Sequence, residues 1–102
     1  MSDCERIVAV DEDLINIARY TVESWGIDQT KRYAAMLEKH FQGIAQGTVH
    51  TRTALKHRPE LRYSRCQHHV VFHLVRRNDT PLIIAVLHER MDLMARLKNR
   101  LP

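Results

Sequence analysis

The sequence predicts an α+β domain: an N-terminal strand, an α-helical hairpin packed on one face of a curved antiparallel sheet, and a short C-terminal helix. Three observations predict it. Apolar residues recur at helical spacing from Leu14 to Ile44, with a break at Gly26. Three apolar runs of strand length follow between Leu61 and His88. The chain has 102 residues, which suits one compact domain, so 1–102 is read as a single unit.

Glu5 to Val10 holds Ile7, Val8 and Val10 and reads as the first strand. Asp11 is placed to cap the first helix, with Glu12 and Asp13 favourable in its first turn. Leu14, Ala18, Thr21, Val22 and Trp25 form its apolar stripe, and Gly26 ends it. Asp28 can cap the second helix, whose seam is Ala34, Leu37, Phe41 and Ile44, widened by Tyr33 and Met36, with Gly47 as its stop. About two residues join the helices, so they must fold back on each other. Thr48 to Glu60 has no clean period and reads as a long loop, with room for one helical turn near 53–57.

Leu61 to Cys66 alternates modestly. His69 to Arg77 alternates well, with Val70, Phe72 and Leu74 on one face and Val71, His73 and Val75 on the other. Asn78 to Pro81 is a turn cluster, and Leu82 to His88 is apolar enough to be a central strand. The short gaps favour an antiparallel meander. Met91 to Leu101 carries Met91, Leu93, Met94 and Leu97 among charges and suits a short helix.

The net charge of +4 is unevenly spread. Met1 to Gln46 has five Lys/Arg against eight Asp/Glu, whereas Gly47 to Arg77 has seven against Glu60 alone. A basic middle on an acidic scaffold points to nucleic acid or an acidic partner. No run approaches the roughly 20 apolar residues that cross a membrane, and residues 1–11 lack a secretory pattern, so a cytoplasmic setting is expected. Cys4 and Cys66 are then expected as reduced thiols, and with no Cys-x-x-Cys pair a cysteine zinc site has no support. His69 and His73 would share a strand face but lie about 13 Å apart, too far to ligate one ion. With no glycine-rich phosphate loop either, no metal and no cofactor are expected.

The segment DEDLINIARYTVESWG resembles the start of ParE-type toxins. RPELRYSRCQHHVVFHLV is similar to their basic connector and following strands, and IIAVLHERMDL to their last strand and the signature after it. The similarity covers nearly the whole chain and places it with the ParE/RelE superfamily, on the ParE-like side. The resemblance implies a toxin of a type II toxin–antitoxin system that inhibits DNA gyrase and is neutralised by a ParD-like antitoxin. The RelE branch of the same fold implies a different activity, ribosome-dependent cleavage of mRNA. A non-toxic binding module of the same fold is a third reading.

Metal-independent RNA cleavage needs a base for the 2′-hydroxyl, cations for the phosphorane and an acid for the leaving oxygen. Lys56, Arg58, Arg62, Arg65 and Arg90 can supply charge, and the nuclease reading would use His88, Arg90 and Arg62. In the RelE-like nucleases, the resemblance implies, a Tyr or His near the C-terminus takes part. No tyrosine follows Tyr63 and no histidine follows His88, so a non-catalytic toxin is expected.

The expected target-binding residues are Lys56, Arg58, Arg62, His88, Arg90 and Asp92, with Asp92 also able to cap the last helix. If Leu61 and Tyr63 point inward, Arg62 points outward and Arg65 sits on the inner side, in an ion pair. The expected antitoxin-binding residues are Ile17, Tyr20, Trp25 and Phe41. Ile17 and Tyr20 fall off the main stripe and are expected to be exposed. The partners expected are the antitoxin, in a hetero-oligomer, and gyrase. No direct recognition of operator DNA and no membrane contact are expected.

Overall fold

The computed structural model describes residues 4–101. In chain order the elements are β1 (Glu5–Arg6), α1 (Val8–Trp25), α2 (Ile27–Gln46), β2 (Arg52–Leu55), β3 (Arg58–Cys66), β4 (His69–Leu74), β5 (Leu82–His88) and α3 (Leu93–Lys98). The sheet order is β1-β5-β4-β3-β2. The α+β architecture is as the sequence predicts, with three differences in the sheet and at the start of α1.

First, the opening strand keeps only two residues, and α1 starts at Val8 rather than after Asp11. Helical phase from Val8 places Val10, Leu14, Ile17 and Thr21 on one stripe, and Val10 is fully buried. Ile7 stands at the N-cap with no side-chain cap, so burial outweighs the capping signal of Asp11. Second, the expected loop from Thr48 to Glu60 contains β2 and the start of β3. Pro59 sits within β3 but ahead of its first pair with β4, Leu61 with Leu74. Third, the sheet is mixed. β2 to β5 are antiparallel neighbours, but β1 runs parallel to β5, pairing Glu5 with Leu82 and Arg6 with Ile83.

Gly26, at φ 88°, is the whole connection between the helices and also the N-cap of α2, so Asp28 sits in the first turn without capping. Val10, Leu37, Phe41, Ile44, Cys66, Val71, Ile83 and Val86 form the core beneath the hairpin. The opposite face of the sheet buries Leu61, Val70, Phe72, Leu74, Ile84, Ala85 and Leu87 with Leu97 of α3. A bulge explains the odd spacing in β5. Phe72 pairs with Ala85 and His73 with Ile83, leaving Ile84 as the extra residue. Ile84 and Ala85 can therefore both serve the α3 face, while Ile83 and Val86 serve the hairpin face. Asp92 caps α3 by accepting from the Ala95 amide. Among the described residues no helix is long and apolar enough to cross a membrane.

Candidate functional site

β5 delivers His88 to one end of the sheet, where it pairs in register with His69 of β4. The two rings meet edge to face with centroids 5.3 Å apart, and His68 stacks on His88 at 6.5 Å. His88 Nδ1 accepts from the Arg90 amide at 3.1 Å, which leaves the proton of the neutral ring on Nε2. Tyr33, from α2, is hydrogen-bonded to His69 Nδ1 at 2.5 Å. Glu89 joins Arg65 and His68, the latter at 2.9 Å.

These contacts set the charges. Burial, with His88 and His68 alongside, pushes His69 down to about 4, so it is neutral at pH 7. Burial and the neighbouring Cys66 push the Tyr33 phenol up, so it stays protonated. The hydrogen bonds from His68 and Arg65 hold the Glu89 carboxyl below its ordinary range. Glu89 therefore remains an anion that offsets Arg65.

The sequence gives no hint that Tyr33 would come to His69, because their contact joins a helix to a strand 36 positions away. The absence of a tyrosine or histidine downstream of His88 is real in sequence. In space, however, His69 and Tyr33 stand at the same end of the sheet.

The expected target residues of the connector, Lys56, Arg58 and Arg62, are elsewhere. Lys56 lies in the two-residue turn between β2 and β3, and Arg58 begins β3. Eight residues of extended chain separate Arg58 from Cys66 at the His88 end, roughly 26 Å. Arg58 is paired with Glu60 at 3.0 Å. Arg62 lies between the two ends. Its guanidinium is held by the Thr51 hydroxyl and carbonyl and by the Thr53 hydroxyl, at 2.7–3.0 Å. Its register partner is His73, four residues along β4 from His69, so it sits roughly 13 Å from the level of His88. Arg62, His88 and Arg90 thus do not converge.

Leu61 and Tyr63 pack on the α3 face, as assumed, but Arg65 is exposed rather than inward. It bonds Glu89 at the surface, at the sheet end where Arg90 and Asp92 also emerge in the open.

A groove runs between α1 and α2, lined by Leu14, Ile17 and Ala18 on one side and Thr30, Ala34 and Leu37 on the other. Its small residues, Ala18 and Ala34, leave it open to solvent. Ile17 lines it and is half-buried. Tyr20 and Trp25 are 65% and 73% exposed. Phe41 is 4% exposed and packs in the core with Arg6 over its ring, so it lies outside any surface a partner can reach. Its position on the buried seam with Leu37 and Ile44 accounts for this. Tyr33 reaches His69 from six residues into α2, so the hairpin tip at Ile27 lies roughly 9 Å along the helix from it.

The comparisons with known proteins agree with this architecture. The family model described as ParE toxin of type II toxin-antitoxin system, parDE, matches residues 8–93. The chain is also similar to Toxin ParE of Escherichia coli, with 45% identity over 91 residues, covering 89% of this chain and 88% of that protein. The matched span runs from the first residue of α1 to the first of α3, so it takes in the hairpin, the groove, the sheet from β2 to β5 and the His88 end. The chain belongs to the ParE family of toxins of type II toxin–antitoxin systems.

Proposed function

We propose that this toxin inhibits DNA gyrase by binding it, without catalysing a reaction, in the cytoplasm. The observation that carries the reading is the spread of the polar residues. Lys56 and Arg58 lie at one end of the sheet and His88, Arg90 and Asp92 at the other, while Arg62 is already held by threonines. Hydrolysis or transesterification of one phosphodiester needs its acid, base and cations within hydrogen-bond reach of one centre. A wide contact surface has no such need.

The target surface in this reading is the sheet end bearing His88, Arg90 and Asp92, with Lys56 and Arg58 as a second, remote contact. A ParD-like antitoxin lays an apolar helical segment into the α1–α2 groove, contacting Ile17, and reaches Tyr20 and Trp25. Because Tyr33 of α2 bonds His69, a segment laid along the hairpin also stands close to the target surface. Neutralisation is then steric. Operator recognition belongs to the antitoxin.

One observation favours mRNA cleavage instead: Tyr33, His69 and His88 meet near Arg65 and Arg90. Against it, His69, lowered to about 4, is a weak base and carries no proton to donate as an imidazolium at pH 7, and the Glu89 carboxylate already offsets the Arg65 charge. A supercoiling assay with purified toxin, run with and without antitoxin, tests the proposal. Supercoiling should stop with toxin and recover with antitoxin. Full supercoiling at a large molar excess of toxin, together with cut message in a translating extract, would favour the nuclease.

A further inference from the structure

The outer edge of β5 is only partly covered. β1 takes the Pro81 and Ile83 carbonyls through the Glu5 and Ile7 amides, and then the chain turns into α1. Beyond the bulge, the outward backbone groups include the Ile84 carbonyl and the Val86 amide. No strand meets them. Asp13 of α1 accepts from the Val86 amide at 3.0 Å, and Arg100, beyond α3, donates to the Ile84 carbonyl at 3.0 Å. Asp13 and Arg100 join each other through two bonds of 2.8 and 2.9 Å. Their side chains are only 10% and 18% exposed.

We propose that Asp13 and Arg100 together stand in for a strand along the outer edge of β5, and that this closure keeps the edge from pairing with a second copy of this chain. A neighbouring strand offers an acceptor to each free N–H and a donor to each free C=O. The carboxylate and the guanidinium offer the same pair in the same polarity. The partner excluded is a second copy because Leu82–Leu87 is uncharged, apolar and free of proline, the type of segment that pairs with itself. Two such edges meet antiparallel about a two-fold axis.

A plain ion pair and a strand surrogate respond differently to exchange of the two residues. The double variant Asp13→Arg with Arg100→Asp keeps the ion pair. It also turns a donor toward the Val86 amide and an acceptor toward the Ile84 carbonyl. The experiment measures amide hydrogen exchange at Val86, against the β4 amides as internal control, and molar mass by light scattering, on the full chain freed of antitoxin. In the double variant Val86 should exchange at least tenfold faster than in the parent at concentrations where the chain is monomeric, and dimers should appear as the concentration is raised, with Val86 protected again in them. Asp13→Asn, which keeps an acceptor for Val86, should leave that amide within tenfold of the parent and the chain monomeric. A double variant whose monomer retains Val86 protection, or that stays wholly monomeric at every concentration, overturns the proposal. So does rapid Val86 exchange in Asp13→Asn, the arm that decides if the double variant does not fold.

Discussion

His73 carries the clearest single-residue consequence. It is 3% exposed, and its Nδ1 is the one buried side-chain polar atom without a partner among the described residues. Burial, with Arg62 and His40 nearby, lowers it to about 4. In the unfolded chain it takes up a proton near pH 6.5. Between these values the unfolded state binds more protons, so the stability His73 supports is complete above about pH 6.5 and falls as the pH drops toward 4. Urea unfolding at pH 7.5 and 4.5 should show a loss of about 2–3 kcal/mol from this residue. His73→Phe should make the pH dependence shallower, and His69, lowered for the same main reason, keeps it from vanishing. A parent protein equally stable at both pH values would contradict this. Arg100 makes a second case. Replacing it with Ala strands the Asp13 carboxylate, so thermal unfolding should reveal a loss of about 3–5 kcal/mol. The pairing was not legible in the sequence, because the two residues are 87 positions apart and only the fold brings them together.

At the scale of elements, periodicity carried the two long helices and the strands β4 and β5. Each has enough residues for its apolar pattern to be distinctive. β2 escaped because a four-residue edge strand, with both its first two residues exposed, has no apolar pattern to read. β1 was overextended because Val8 and Val10 suit either a strand or a buried helical turn, and tertiary packing decided for the helix. Gly43 shows what composition hides. A Cβ there would lie 2.5 Å from Val49 Cγ2, where the chain turns back beneath α2. Gly43→Ala should therefore cost about 1–3 kcal/mol, measurable by thermal unfolding. The hairpin tip behaves oppositely. Trp25→Ala should change stability by no more than about 0.5 kcal/mol, since the ring is largely in solvent. In a binding titration it should weaken antitoxin at least tenfold, an aromatic anchor being a typical hot spot. Unchanged antitoxin affinity would remove the tip from the interface.

For the whole molecule, the sequence carried the family and the fold class but not the arrangement of the site. The sequence names Lys56, Arg58, Arg62, His88, Arg90 and Asp92 as target-binding without fixing where each lies. The β2–β3 hairpin sends Lys56 and Arg58 to the end of the sheet opposite His88. Tyr33 and His69 join His88 through α2 and β4, a meeting no spacing rule encodes. The central claim is that the toxin acts by occupancy rather than turnover. Titrating toxin into a fixed concentration of gyrase, with ribosome-bound message in the same reaction, tests it most directly. The account predicts that supercoiling is lost progressively and saturates near molar equivalence at toxin concentrations well above Kd, with the message intact. Message cut by toxin at far below one equivalent, with supercoiling untouched, would contradict it.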